Sequence, residues 1–194
     1  AYPFIHGTDP KELYGVNFDV IVGNPPYQLE TGGSGRQATP IYQLFVQQAK
    51  KLEPRFLSMI IPSRWFSGGM GLNNFRESML NDDRIRSIDD YLTASDVFPG
   101  IGLKGGVCYF LWDRDNRGAC TVSTHFRDWP ITTSTRPLLE KGLDVFVRFN
   151  EGRSILKKVA DVEVGDRSTL RLPDSKRFAN LVSSIGAFGL DSTF

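Results

Sequence analysis

The residues best suited to chemistry are Asn24-Pro25-Pro26-Tyr27, which follow the apolar run Phe18 to Gly23 without a break. Asn24 brings a side-chain carbonyl oxygen and Pro25 a backbone carbonyl, so two acceptors stand in adjacent residues. The prolines fix their own φ and hold Asn24 extended, which aims both acceptors before a substrate arrives. Neither proline has an N–H to compete for them. Such a pair suits an aromatic amine, a poor nucleophile because its lone pair is delocalised into the ring. An acceptor on each N–H lets the nitrogen pyramidalise and turn that pair toward an electrophile, a form of electrostatic preorganisation. Tyr27 adds a ring face on which a planar base can stack, worth about 1–3 kcal/mol.

The surrounding sequence supplies elements to position this tetrapeptide. Phe18 to Gly23 has the continuous, β-branched character of a strand covered on both faces in a parallel sheet. The carboxyl end of such a strand is where open α/β sheets bind ligands. Residues 28–38 are polar and glycine-rich and predict a surface loop. Their Gly-Gly-Ser-Gly piece lacks the Gly-Lys-Ser/Thr that would make it a phosphate loop. Thr39 then offers an N-cap and Pro40 a first helical position. Ile41, Leu44, Phe45, Ala49 and Leu52 form a helical stripe that Glu53-Pro54 ends.

Phe56 to Ile61 predicts a second buried strand, stopped by Pro62, and the resulting βαβ unit implies a right-handed parallel crossover. Asn73 or Asn74 caps a short helix through Leu80 that buries Phe75, Met79 and Leu80. Ile85 to Leu92 predicts a third strand, more polar and so nearer an edge. Gly106 to Trp112 is apolar and, joined to it only by a loop, can pair with it as an antiparallel hairpin. Cys120 to Phe126 is one more candidate strand. Residues 130–137 read as a connector, and Ser154 to Val159 and Lys176 to Ile185 as helices.

The 194 residues, 40% hydrophobic and 23% charged, suit one domain or a domain with a piece of another. No apolar run approaches the roughly 20 residues that cross a bilayer, and no basic-then-apolar leader opens the chain, so no membrane role is expected. Cys108 and Cys120 lack metal spacing and suggest reduced structural thiols in a cytoplasmic protein. His6 and His125 have no partners in sequence that suggest a metal, and no clustered Asp/Glu–Lys nuclease pattern stands out. The net charge is +1. Residues 136–180 carry ten basic and seven acidic side chains, a bias more often a solvated face than a polyanion site.

Taken in order, these segments resemble the amino-group DNA methyltransferases, specifically the adenine-specific enzymes whose catalytic motif precedes a target-recognition domain. The resemblance covers about residues 16–117. It runs from Asn24-Pro25-Pro26-Tyr27 through IYQLFVQQAKKLEP, FLSMIIPSRWF and VFPG at Val97–Gly100 to KGGVCYFLWDR. It implies methyl transfer from S-adenosylmethionine to the adenine exocyclic amine of double-stranded DNA, after the base has flipped from the duplex. Asn24, Pro25 and Tyr27 are then the catalytic residues. Tyr27, Phe98 and Pro26 hold the base, Phe98 packing against it opposite Tyr27, and Asn24 also meets the cofactor. Beyond residue 117 the text is similar to the connector into a recognition region in large single-chain restriction–modification enzymes.

The implied fold is α/β: the C-terminal half of a Rossmann-like methyltransferase sheet, with parallel strands and a terminal antiparallel hairpin. Residues 1–117 are expected to be a partial catalytic domain, and residues 118–194 a connector and the start of a target-recognition region. The family binds S-adenosylmethionine mainly through a glycine-rich turn and acidic residues upstream of the motif. Only 23 residues precede Asn24, and the chain opens on Ala1 rather than Met. The main cofactor site is therefore expected in a missing N-terminal part of the same protein, which would act as this chain's partner. The chain alone is expected to be inactive, with a strand edge open beside Phe18–Gly23. Two other readings remain open: a methyltransferase acting on RNA or on protein glutamine, and a non-catalytic DNA-binding or assembly module that retains the motif.

Overall fold

The computed structural model describes residues 15, 17–29, 39–140, 143 and 145–156. The chain divides into two units, Ala1–Ser154 and Ile155–Phe194, and every labelled strand and helix below lies in the first. In chain order these are β1 (Val20–Gly23), β2 (Gln28–Leu29), β3 (Thr39–Pro40), α1 (Tyr42–Lys51) and β4 (Phe56–Pro62). They are followed by α2 (Asn73–Leu80), β5 (Ile85–Tyr91), β6 (Val107–Asp113), β7 (Cys120–His125) and β8 (Thr132–Arg136). Six strands form one sheet in the order β1-β4-β6-β5-β7-β8, and β2 pairs with β3 alone.

The expected parallel crossover is present, because β1 and β4 pair in parallel with α1 between them in sequence. The hairpin expectation also holds, since β5 and β6 are antiparallel. β6 further inserts between β4 and β5 and is antiparallel to both. Gly106, at φ +81°, makes the entry into β6 possible. A Cβ there would collide with the Tyr91 carbonyl oxygen, so no L side chain fits.

Several expectations change. The β1 strand is not covered on both faces: Val20 is 55% exposed and Val22 73%. Among the described residues it is the end strand of the sheet, which leaves its apolar run exposed. β5 is not near an edge but has β6 on one side and β7 on the other. Its polar residues tolerate this because Asp89 and Asp90 both have partners, described below. Thr39-Pro40 does not start α1. Those residues pair with Gln28-Leu29, and the helix begins at Tyr42 with Ile41 as an N-cap lacking a side-chain cap bond. The buried stripe is therefore Tyr42, Val46 and Ala49, flanked by Ile41 and Leu52, with Leu44 and Phe45 only half-buried. α2 buries Phe75, Met79 and Leu80 as expected, after Leu72 rather than an asparagine cap.

Residues 132–136 are a strand, not a connector. Alternate threonine and serine hydroxyls explain it, since β8 is zipped to β7 by Thr121–Thr135 and Ser123–Thr133 side-chain hydrogen bonds of 3.1 Å each. The expected division after residue 117 thus falls in the β6–β7 turn, within one sheet. Residues 152–156 are helical, and the expected helix at 176–185 lies outside the described residues.

One face of the sheet is buried. Leu57, Met59 and Ile61 of β4, Cys108, Phe110 and Trp112 of β6, and Ile88 of β5 pack with Tyr42, Val46, Phe75 and Met79. At the amino-terminal end of β5, Asp82 knots this core. It accepts from Lys50 Nζ at 2.8 Å, Arg84 Nε at 2.7 Å and the Trp112 indole at 2.9 Å. Burial pushes its carboxyl up, but the hydrogen bonds from Arg84 and Lys50, the Lys50 charge and the indole outweigh that and hold it well below the usual carboxylate range. A depressed folded value means stability present above the unfolded pKa, about 3.9, and lost as pH falls through the folded one. Asp82→Asn is expected to lower stability at pH 7 by about 1–3 kcal/mol. Its deficit against wild type should shrink below about pH 4, as urea midpoints across pH would show.

Candidate functional site

Each strand feeds its loop at one edge of the sheet, and the carboxyl ends of the parallel pair β1 and β4 mark the edge that matters. There the chain leaves β1 at Gly23 and enters the motif. Gly23 is not required by space, because a Cβ would meet only the Met59 side chain at 3.8 Å. Asn24 is exposed, Pro25 buried, Pro26 exposed and Tyr27 half-buried. The alternation follows from the extended backbone that two prolines impose. One proline anchors the turn in protein, while the asparagine amide stands in solvent.

The far side of the motif is clamped. The Tyr27 carbonyl accepts from Ile41 N–H at 3.2 Å, and the two-residue pairing of β2 with β3 closes the chain back on the start of α1. The Tyr27 hydroxyl is buried and, among the described residues, has no hydrogen-bond partner. Burial pushes its pKa up, and nearby Cys108 adds to the shift. The Cys108 thiol is itself pushed up to about 12, by burial first and then by the Asp90 charge. Cys120 is raised to about 12, mainly by burial. Both cysteines are free and buried, as expected from the sequence, and neither is a nucleophile at neutral pH.

Under the same edge lies a network that sequence reasoning missed. Asp90, fully buried, accepts from Ser63 Oγ at 2.8 Å and from both prongs of Arg148, Nε at 2.6 Å and Nη2 at 2.7 Å. Arg148 Nη1 reaches the Gly105 carbonyl at 2.8 Å, and its own carbonyl accepts from Thr124 Oγ1 at 2.7 Å. One arginine therefore ties the ends of β4 and β5 to the lead-in of β6. Phe146 stacks on Phe66 at 4.3 Å between centroids and seats the same segment. The consecutive Asp89-Asp90 inside an otherwise strand-like run was the available signal, since a buried carboxylate demands a cation.

Phe98 lies past the end of β5, half-buried in a turn in which its N–H donates to Ala94 O at 2.9 Å and its carbonyl accepts from Ile101 at 3.1 Å. It shares the edge with Tyr27, but β4 and β6 stand between their strands. At usual strand spacing that is about 14 Å, which only the loops can narrow. His6 lies outside the described residues. His125 bonds Asp89 at 3.0 Å and stacks on Tyr91 at 4.1 Å between centroids. Among the described residues no three metal-ligating side chains cluster, and no helix is long and apolar enough to cross a membrane.

Comparison with known proteins adds the family. Residues 3–98 match the Eco57I restriction-modification methylase family. An uncharacterized adenine-specific methylase of Mycoplasma pneumoniae is 40% identical over 136 residues, covering 65% of this chain and 32% of that protein. The chain thus spans about a third of the curated relative's length. Among solved structures, the type I restriction-modification methyltransferase subunit of Streptococcus thermophilus is 13% identical at a TM-score of 0.42, covering 82% of this chain and 35% of that one. The M protein of type I restriction enzyme EcoKI is 16% identical at a TM-score of 0.42, covering 76% and 32%. The stretch that matches the Eco57I restriction-modification methylase family, residues 3–98, holds Asn24-Pro25-Pro26-Tyr27 and ends at Phe98.

Proposed function

We propose that this chain is part of a DNA methyltransferase that moves a methyl group from S-adenosylmethionine to the exocyclic amine of adenine in duplex DNA, within a restriction–modification system. The observation that carries the reading is Asn24 standing exposed at the carboxyl end of β1 while Pro25 is buried and Tyr27 is clamped behind it. Residues 1–117 hold the substrate side of the catalytic centre, and residues 118–194 lead toward a target-recognition region. The activity belongs to a larger whole than this chain, in keeping with its coverage of a third of its relative. Two buried, free thiols suit a cytoplasmic setting.

The cofactor fits the motif at one end only. Gly23 to Tyr27 offers carbonyl acceptors and no acidic side chain, so it suits the methyl-bearing end beside an amine, not a ribose diol. When bound, S-adenosylmethionine supplies an electrophilic methyl group on a sulfonium sulfur. Asn24 Oδ1 and the Pro25 carbonyl each accept one N–H of the adenine amine, which localises the nitrogen lone pair and aims it. An amine nitrogen that took up the donor's methyl would carry a surplus proton, and these acceptors would pass it to solvent, which Asn24 reaches. Tyr27 and Pro26 support one face of the flipped base and Phe98 the other.

The test is product identity. The whole protein that carries this chain, given duplex DNA and labelled donor, is expected to yield N6-methyladenine on digestion to nucleosides. Label found only in cytosine, RNA or a glutamine side chain would overturn the assignment. Phe98→Ala is expected to remove stacking worth about 1–3 kcal/mol, lowering kcat/KM about five- to 150-fold. Unchanged kcat/KM would remove Phe98 from the site.

A further inference from the structure

At the same carboxyl edge, beyond the end of β5, the turn from β7 to β8 borders an open surface cleft of about 490 Å³ that the proposed chemistry does not use. Its lining includes the stacked pair Tyr91 and His125, with rings 4.1 Å apart and 11° from parallel. Asp89 holds the imidazole at 3.0 Å. Phe126 and Trp129 line it too, their ring centroids 5.9 Å apart at 60°. The turn is closed by the Trp129 N–H donating to the Phe126 carbonyl at 3.0 Å. Arg127 adopts a left-handed φ of +49° and sets its guanidinium 5.4 Å over the Phe126 ring. That conformation disfavours a side chain such as arginine, and strain of this kind persists where the surroundings impose it. Trp129 is nonetheless 69% exposed, an indole held in place by its turn and open to solvent.

Two features decide what could enter. Flat aromatic surfaces around a space within the usual range for small-ligand sites suit a planar ring. Among the described residues that line the cleft, Asp96, whose Oδ2 accepts from the Arg127 N–H at 3.4 Å, and Asp128 outnumber the Arg127 guanidinium, so its charge opposes a phosphate and favours N–H donors. The geometry points to a nucleobase site: the cleft takes an unstacked base bearing an exocyclic amine, its ring against Trp129 and Phe126 and its amine toward Asp96 or Asp128. This rests on the methyltransferase reading for the source of the base, the substrate DNA strand. β7 stands four strands from β1, roughly 19 Å at ordinary spacing, or five to six base steps along a duplex. The site would therefore hold a flanking base and not the one that is methylated.

Tryptophan fluorescence can test this directly. The chain has three tryptophans, and Trp65 and Trp112 are buried, so Trp129 is the one that solvent and ligand reach. Titrating the 194-residue chain with single-stranded oligonucleotides of deoxyadenosine or deoxycytidine is expected to quench it saturably. Oligothymidine, which lacks the amine, should bind about fivefold or more weakly, and an abasic oligonucleotide should not quench. Asp96→Asn with Asp128→Asn should level the preference for amine-bearing bases. Phe126→Leu should weaken binding about tenfold while leaving the thermal midpoint within a few degrees. Equal quenching by the abasic strand, or none by any strand, overturns the site. Quenching with the expected base preference supports it even if the whole protein makes no N6-methyladenine, a result that would sink the methyltransferase assignment alone.

Discussion

Replacing Asn24 by alanine in the protein that carries this chain is expected to lower methyl transfer about 10²- to 10³-fold or more, the usual consequence of losing one preorganised polar group at a reacting centre. The amide stands in solvent at the end of β1. Its removal takes nothing from the core, so the thermal midpoint should stay within about 1–2 °C. The loss should fall on kcat, because the acceptor gains most as charge develops on the amine nitrogen. Asn24→Asp keeps an acceptor at the same place and should retain more activity than Asn24→Ala. Single-turnover methylation of a defined duplex measures all three proteins. Full activity in Asn24→Ala would mean that the motif is a relic and that the chain serves binding or assembly.

The second large effect concerns stability. Asp90→Ala is expected to destabilise the fold by about 3–5 kcal/mol, because it leaves the Arg148 guanidinium partly buried with no counter-charge. For a chain of this size that is a fall of about 10 °C in thermal midpoint. The bidentate geometry and the Ser63 hydroxyl on the same carboxylate leave no nearby substitute. A double replacement, Asp90→Leu with Arg148→Met, removes both charges and should recover much of the loss, since apolar pairs often replace buried ion pairs at little cost. If the double variant is no more stable than Asp90→Ala, the ion pair is not the reason for the loss. Guanidinium melts of wild type, Asp90→Ala and the double variant decide it.

Much of this architecture was legible from pattern. The apolar runs 56–61 and 106–112 gave strands because β-branched and aromatic residues gather there between Pro and Gly stops. The tetrapeptide was legible because an asparagine and two prolines directly after a strand fix a pair of acceptors that an ordinary loop does not need. Reading failed where local rules met long-range partners. Thr39-Pro40 looked like a helix start, but the backbone at 28–29 claimed it for a strand pair. Asp89 and Asp90 looked like an edge because their partners, His125 and Arg148, lie 36 and 58 residues away. β8 looked like a connector because threonine and serine carry no hydrophobic signal, although β-branched threonine suits a pleated surface. The aromatic cleft was invisible for a related reason, since Tyr91, Phe126 and Trp129 converge only once β7 lies beside β5.

The position of β6 has a bearing on how this chain is made. β4 and β5 are synthesised well before the strand that joins them, for Phe56 pairs with Asp113 and Ile61 with Cys108. On a ribosome adding about 5–20 residues per second, the inner edge of β4 waits roughly 2–10 s for its neighbour. Through that interval β4 and β5 have no backbone bonds to each other, and a chain released before residue 107 would carry the β1–β4 pair and a β5 with neither of its neighbours. Sequence-distant pairing of this kind slows folding and leaves strand edges open to the wrong partner. Birth of the catalytic edge is thus tied to the arrival of a strand that carries none of its proposed catalytic residues.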